Sequence, residues 1–421
     1  MANERMGLNA TWAMAVGGMV GGGIFSVLGV VIDRSGSLAW AAFLVGGILA
    51  LATGDSYVRL ARHFEEGGGA FTYLRRSGMP RIAGGVSWML IVGYVLTISV
   101  YAFTFSHYAA GEVGLGPAGT RALAVAVIAF LVAVNLRGVA SSATLEVFLV
   151  WGKVAVLVVL GVVGVWRWNT PALSEGVTSH GFSGIALGAA TVFMAYEGFQ
   201  LLTYDYDDIE DPDRTLPRGV MLAIVCVIGL YVLVAVGAAM LVGADKLVAQ
   251  RETALALAGD AVLGATGRAI VAVAAAFSAG SAINATLFST ARLAERASDE
   301  GQIPSAARHE NRAGVPDRGL VALGAAAATL AAIGSLGDLV EAASLAFLLT
   351  FAIVNVVAAR TLSARRWVPI GGALGMTIGA VVLSIEIAGN APLVLAAFVV
   401  LLVASFSAPF LRDRNREHAG V

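Results

Sequence analysis

Twelve continuous apolar stretches dominate this sequence, each close to the roughly 20 residues that a helix needs to cross the hydrocarbon of a bilayer. They lie near residues 8–32, 36–60, 80–110, 119–138, 143–166, 183–204, 218–243, 266–294, 319–336, 339–360, 368–388 and 391–411, as spans 1 to 12. The chain of 421 residues is 58% hydrophobic and 13% charged, about half the charged share of a soluble chain. The predicted fold class is therefore an all-α polytopic membrane protein with about 12 transmembrane helices, and the lipid bilayer is its first partner. Cys226 is the single cysteine, so no internal disulfide is possible, and the five histidines show no metal-ligand spacing. No catalytic cluster is visible, so an enzyme is not expected. No cofactor is implied, and a net charge of -1 points to no nucleic acid.

An even number of spans puts both termini on one side. With the N-terminus inside, 20 of the 27 basic residues flank the cytoplasmic ends of the spans. Only six face out: Arg34, Arg121, Arg167, Lys246, Arg251 and Arg268. Cytoplasmic loops carry the excess of Lys and Arg, so both termini are expected in the cytoplasm and the protein in the cell membrane.

Span 1 is interrupted by Gly17-Gly18-Met19-Val20-Gly21-Gly22-Gly23-Ile24-Phe25, in which five of nine residues are glycine. Glycine weakens a helix, and an unwound turn inside hydrocarbon is tolerable only beside protein or a cavity. Such a turn would aim bare N–H groups and the positive end of a half-helix dipole at the membrane midplane, which attracts a carboxylate. Small residues four apart, such as Gly17 and Gly21, also make a close helix-packing face, and that reading stays open. A nucleotide-binding loop lacks its strand–turn–helix context, and a secretory signal lacks a cleavage site.

Two more features lie at membrane depth. Lys153 in span 5 is costly there unless it faces a cavity or partner, although it lies only about 15 Å along its helix and its long stem could snorkel. Span 6 carries Phe193-Met194-Ala195-Tyr196-Glu197-Gly198-Phe199-Gln200, a glutamate beside a glycine flanked by aromatics. Glu197 is either a binding group or a structural carboxylate bonded to a neighbouring helix. The two breaks occupy the first and sixth spans, an odd number of helices apart, so the second unit would be inverted relative to the first. Paired interruptions in two inverted halves point to a transporter's binding site. The predicted units are 8–167, the inverted 183–362 and an accessory pair at 368–411; the halves share no obvious residue identity, so placement alone carries the repeat.

Several motifs follow these breaks in order. After span 2 comes Ser56-Tyr57-Val58-Arg59-Leu60 and then Glu66-Gly67-Gly68-Gly69-Ala70-Phe71-Thr72-Tyr73, whose tail reads as an interfacial helix. Span 6 ends in the acidic loop Asp207-Asp208-Ile209-Glu210-Asp211-Pro212, closing with Pro217-Arg218. Span 8 carries Ser281-Ala282-Ile283-Asn284-Ala285 and, further on, Asp299-Glu300-Gly301-Gln302-Ile303-Pro304. Together these resemble the amino acid–polyamine–organocation superfamily of secondary transporters over residues 8 to about 362. Arg59, Glu65 and Asp211 depart from its pattern.

The resemblance implies the leucine-transporter-type 5+5 inverted repeat plus two C-terminal helices, and a permease for an amino acid, by proton-coupled symport and alternating access. Backbone N–H groups of Gly21, Gly22, Gly23 and Ile24 would hold the substrate carboxylate. Carbonyls of Phe193, Met194 and Ala195, with Glu197, would receive the ammonium, and Tyr196 and Phe199 would be aromatic gates. The proton would be the coupling ion, with Lys153 reaching a span 1 carbonyl near Gly17 or Val20 and the hydroxyl of Ser281. Small polar residues such as Ser281 and Asn284 can also serve as interhelix glue, a reading that fits Asn284 better than Ser281. An uncoupled exchanger, a polyamine or organic-cation carrier and a substrate-sensing receptor are the alternatives. Sequence alone names neither the substrate nor the oligomeric state.

Overall fold

The computed structural model describes residues 5–138 and 143–418, of which 143–146, 148 and 408–418 are described by backbone only. Arg412, Arg414 and Arg416, part of the inside charge count, therefore have side chains outside the described residues. Described residues form helices with no β-strand beyond isolated bridges. This follows from the solvent: in hydrocarbon a helix satisfies its own N–H and C=O groups.

Span 1 is two helices, Leu8–Met19 and Gly23–Ser35, and span 2 is Ala39–Phe64. Spans 3, 4 and 5 are Pro80–Val113, Pro117–Leu136 and Ala143–Arg167. Span 6 is Gly181–Thr191 and the single turn Phe193–Tyr196, followed after Gly198 by a 3-10 stretch Phe199–Thr203. Span 7 is Pro212–Val242, and span 8 ends the helix Ala254–Asp299, which is interrupted at Leu263 and Gly264. Spans 9 to 12 are Asp317–Ile333, Leu336–Thr361, Trp367–Asn390 and Pro392–His418. Pro212, the first residue of span 7, follows Asp211 at φ 44°. That left-handed conformation tolerates Asp and Asn far better than bulkier residues.

Two parts of the chain depart from expectation. The short helix Gly69–Arg76 does not lie open on the membrane surface: six of its eight residues are buried, and Gly69 packs against the ring of Tyr204. The stretch between spans 7 and 8 is also more than a loop. It folds as Ala244–Ala249, the turn Arg251–Thr253 and a helix starting at Ala254, with Leu247, Ala254 and Leu255 buried. This layer packs on the second half of span 1, where Gly29 leaves room for Arg251. Nearby, Arg34 at the end of span 1 pairs with Glu341 of span 10 at 2.7 Å and with Glu386 of span 11 at 2.8 Å. Arg34, Glu341 and Glu386 thus form an ion cluster across three helices.

At the opposite end, the residues before span 1 pair with the link between spans 6 and 7. Met6 donates its N–H to the Asp208 carbonyl at 2.8 Å, and Glu210 donates back to Met6 at 3.0 Å. Arg75 bridges Glu66 at 2.9 Å and Glu300 at 2.5 Å, tying the short helix to the end of span 8.

Candidate functional site

The interruptions of spans 1 and 6 meet in the buried centre. A Cβ on Gly198 would lie 2.6 Å from the backbone of Gly18, and one on Gly18 would lie 3.1 Å from Gly198. Gly198 has φ 120°, a conformation that L side chains rarely adopt. The backbones can touch only because neither residue has a side chain.

In span 1 the helix stops at Met19 and restarts at Gly23. The N–H groups of Gly23, Ile24 and Phe25 head the second half, where a helix has no intrahelical acceptor for its first donors. The carbonyls on the other side are claimed by neighbours. Ser278 of span 8 donates to Val20 at 2.9 Å and shares a short contact with Gly21. Tyr231 of span 7 places its hydroxyl 2.7 Å from the Met19 carbonyl and 3.0 Å from that of Ala195, so one O–H bridges both breaks.

The glycines also answer to packing. A Cβ on Gly21 would meet Ala282 at 2.7 Å, one on Gly22 would meet the Tyr101 ring at 2.1 Å, and one on Gly23 would sit 3.1 Å from Ala195. The close-packing reading and the bare N–H reading therefore describe the same residues. Tyr101, on span 3, is 1% exposed, and its hydroxyl has no hydrogen-bond partner among the described residues. A buried hydroxyl without a partner costs about 1–3 kcal/mol, and the ring that carries this one lies against Gly22 of the span 1 break.

In span 6, Phe193, Met194, Ala195, Tyr196 and Phe199 are all fully buried and Glu197 is 2% exposed. Glu197 accepts from the Gln200 amide at 2.7 Å; Gln200 in turn accepts from the Gly198 N–H at 2.8 Å and donates to the Tyr94 hydroxyl at 3.1 Å. The carboxylate is thus held by the unwound turn itself. Met194 donates its N–H to Ser344 of span 10 at 3.1 Å, and Ser344 donates to Thr191 at 2.7 Å. Tyr196 bonds the Phe43 carbonyl at 2.7 Å, while Phe199 packs edge-on to Tyr57 and tilted against Phe351. These two rings brace span 6 against spans 2 and 10.

Lys153, 6% exposed, donates to the Gly17 carbonyl at 3.2 Å, on the first half of span 1. The hydroxyl of span 8 that reaches span 1 is that of Ser278, one turn before Ser281, where sequence reasoning placed it. Ser281 instead lines a groove together with Lys153. Both serines fit the helical spacing, and the crossing of spans 1 and 8 brings Ser278 to the span 1 carbonyls.

The sequence profile of the amino acid permease family matches residues 6–413 of this chain. The chain belongs to that family. It is thereby a transporter of the amino acid–polyamine–organocation superfamily and a multi-pass membrane protein. The permease is 30% identical to the inner membrane transport protein YbaT of Escherichia coli, over 85% of this chain and 84% of that one. It is 24% identical to the serine/threonine exchanger SteT of Bacillus subtilis, over 72% and 70% of the two chains. Its fold matches that of a manganese transporter of Eremococcus coleocola with a TM-score of 0.65 over 98% of this chain and 95% of that one, at 13% identity.

Around the site, the permease is hollow on one side. On the side of the N-terminus a cavity of about 770 Å³ is lined by Met14, Leu201, Asp205, Asn284, Arg292 and Arg296, among others. Met14 lies one turn before Gly18, so the cavity ends just beneath the meeting of the breaks. Burial and the neighbouring Asp208 push the Asp205 carboxyl up to about 6, with Arg296 pulling the other way. Asn284 accepts from Asn135 of span 4 at 2.6 Å in this wall, which answers the glue reading for that residue. Tyr101, Tyr231 and Ser278 were missed by sequence reasoning. Isolated polar residues in apolar runs carry no spacing signal until the fold gathers them.

Proposed function

We propose that this permease carries an amino acid across the cytoplasmic membrane as a proton-coupled symporter working by alternating access. The contact of the two breaks at Gly18 and Gly198 is the observation that carries the reading. A zwitterion must have both charges matched by fixed dipoles to leave water. The N–H groups of Gly21, Gly22, Gly23 and Ile24 supply one sign, helped by the Tyr101 hydroxyl. The carbonyls of Phe193, Met194 and Ala195, with the Glu197 carboxylate, supply the other. Tyr231 holds the Ala195 carbonyl when no substrate is bound, and gives it up when an ammonium arrives. Tyr196 and Phe199 form the walls behind the site.

In this reading both termini are cytoplasmic, the two five-helix units are an inverted repeat, and the 770 Å³ cavity is the vestibule facing the cytoplasm. The layer at 244–262 and the Arg34 cluster close the outer side. Protonated Lys153 ties span 5 to span 1 through Gly17, and Ser278 ties span 8 to it through Val20. Loss of the Lys153 proton frees the inner half of span 1. A second reading, exchange of one amino acid for another without ion coupling, is favoured by the likeness to SteT, a serine/threonine exchanger. The test is a thermal-shift screen of the purified protein against amino acids and polyamines, then uptake of each hit into liposomes. A stabilising amino acid with saturable uptake is expected. Stabilisation by polyamines alone, or uptake that never saturates, contradicts the proposal.

A further inference from the structure

The cavity of about 770 Å³ on the N-terminal side falls within the roughly 300–1,000 Å³ typical of small-molecule sites. Its charged lining is unevenly engaged. Arg292 is fully committed: it pairs with Glu295 at 2.7 Å and Glu310 at 3.2 Å, donates to the Gly314 carbonyl at 2.8 Å and lies over the Phe288 ring. Arg296, one turn further along span 8, forms no ion pair and no side-chain hydrogen bond among the described residues. The same holds for the carboxyl of Asp205, on which Arg296 and Asp208 act only through space. Burial holds the Asp205 carboxyl above its usual range, as befits an acid short of a counter-charge. A cation and an acid thus line one hollow without bonding each other.

We propose that this cavity holds an amino acid of its own, its α-carboxylate on the Arg296 guanidinium and its ammonium on the Asp205 carboxylate. The inference rests on the reading of this chain as an amino acid carrier, and adds a second stop on the path below the breaks. Met14, one turn before Gly18, forms the inner end, so a molecule here lies beneath the central site and not in it. Charge selects the class of ligand. With Arg292 neutralised by Glu295 and Glu310, the open groups are Arg296 against Asp205 and Asp208. A plain anion on Arg296 would stand beside both carboxyls, and a plain cation on Asp205 would face Arg296. A zwitterion answers both signs, and no internal ion pair has to break to admit it. The guanidinium offers a planar fork that holds a carboxylate through two parallel N–H bonds, and an ammonium offers three donors to the acid. Met14, Leu201, Phe288 and Leu293 make the rest of the wall apolar, which favours an apolar side chain.

The experiment measures equilibrium binding of radiolabelled L-leucine to the full chain in nanodiscs, with no gradient. Arg296→Gln should bind one leucine fewer per chain than wild type; Asp205→Asn should do the same and serves should the first misfold. Glu197→Gln removes the charge that receives the ammonium at the breaks and should leave the vestibular leucine in place. In that variant unlabelled leucine should displace the label, whereas N-acetyl-leucine, an anion, and leucine methyl ester, a cation, should not. No binding to wild type, equal binding to wild type and Arg296→Gln, or displacement by either derivative overturns the proposal. So does a single leucine that both Arg296→Gln and Glu197→Gln lose, since that is one site and not two. Leucine lost in Glu197→Gln and kept in Arg296→Gln overturns the vestibular site and leaves the central reading standing. Leucine lost in Arg296→Gln with none lost in Glu197→Gln supports the vestibular site and counts against the central one.

Discussion

Tyr101 is the most exacting residue in the central site, because its ring lies against Gly22 and its buried hydroxyl has no hydrogen-bond partner among the described residues. Tyr101→Phe keeps the ring and removes the orphan, so melting of the substrate-free protein should be unchanged or raised. Substrate affinity should fall by about 1.5–3 kcal/mol, the range for a hydrogen bond to a charged group. Isothermal titration of the best amino acid checks both. Gly22→Ala is a blunter probe, since its Cβ would enter the Tyr101 ring and cost about 1–3 kcal/mol of stability by overpacking. Outside the membrane, Asp205 gives a pH signature. Its carboxyl is raised to about 6 from the usual range near 4, so the folded state holds a proton that the unfolded state has lost. Stability should fall as pH rises from about 4 to 6 and be fully present below that window. Asp205→Asn should flatten this slope in melting curves taken across it. The sequence displayed Gly17 to Phe25, Lys153 and Glu197 because each is costly in hydrocarbon. Tyr101 and Tyr231 were illegible, because a tyrosine in an apolar run is ordinary until its neighbours are known.

At the scale of elements, most spans could be read directly, since continuous hydrophobicity and bilayer thickness fix where a helix must run. The layer at 244–262 could not, because its apolar residues are too few to span and its burial depends on the surface of span 1. That Ser278 reaches the span 1 carbonyls likewise follows from the crossing of spans 1 and 8. The pairing of Met6 with the 206–210 link is an element-scale restraint with a direct consequence. Two backbone hydrogen bonds hold the first half of span 1 against the end of span 6. Met6→Pro removes the N–H given to Asp208. In a Cys226→Ser background, Met14→Cys should then be labelled faster by a membrane-impermeant thiol reagent from the vestibule side. An unchanged labelling rate would mean that the pairing does not restrain that half-helix.

For the whole molecule, the described residues place a hollow on the N-terminal side and a packed layer on the other, with the two breaks between. Whether motion between such states is driven by protons turns on Lys153, which joins span 5 to span 1 at Gly17. One flux measurement tests that coupling directly. Purified protein is reconstituted in liposomes, and uptake of the amino acid found by thermal shift is followed with and without an inwardly directed proton gradient. Wild type should accumulate substrate above its outside concentration only when the gradient is present. Lys153→Ala should bind the amino acid yet equilibrate it without accumulation. Gradient-driven accumulation that survives in Lys153→Ala, or a wild type that moves substrate only against internal amino acid, would contradict the account and leave an exchanger in its place.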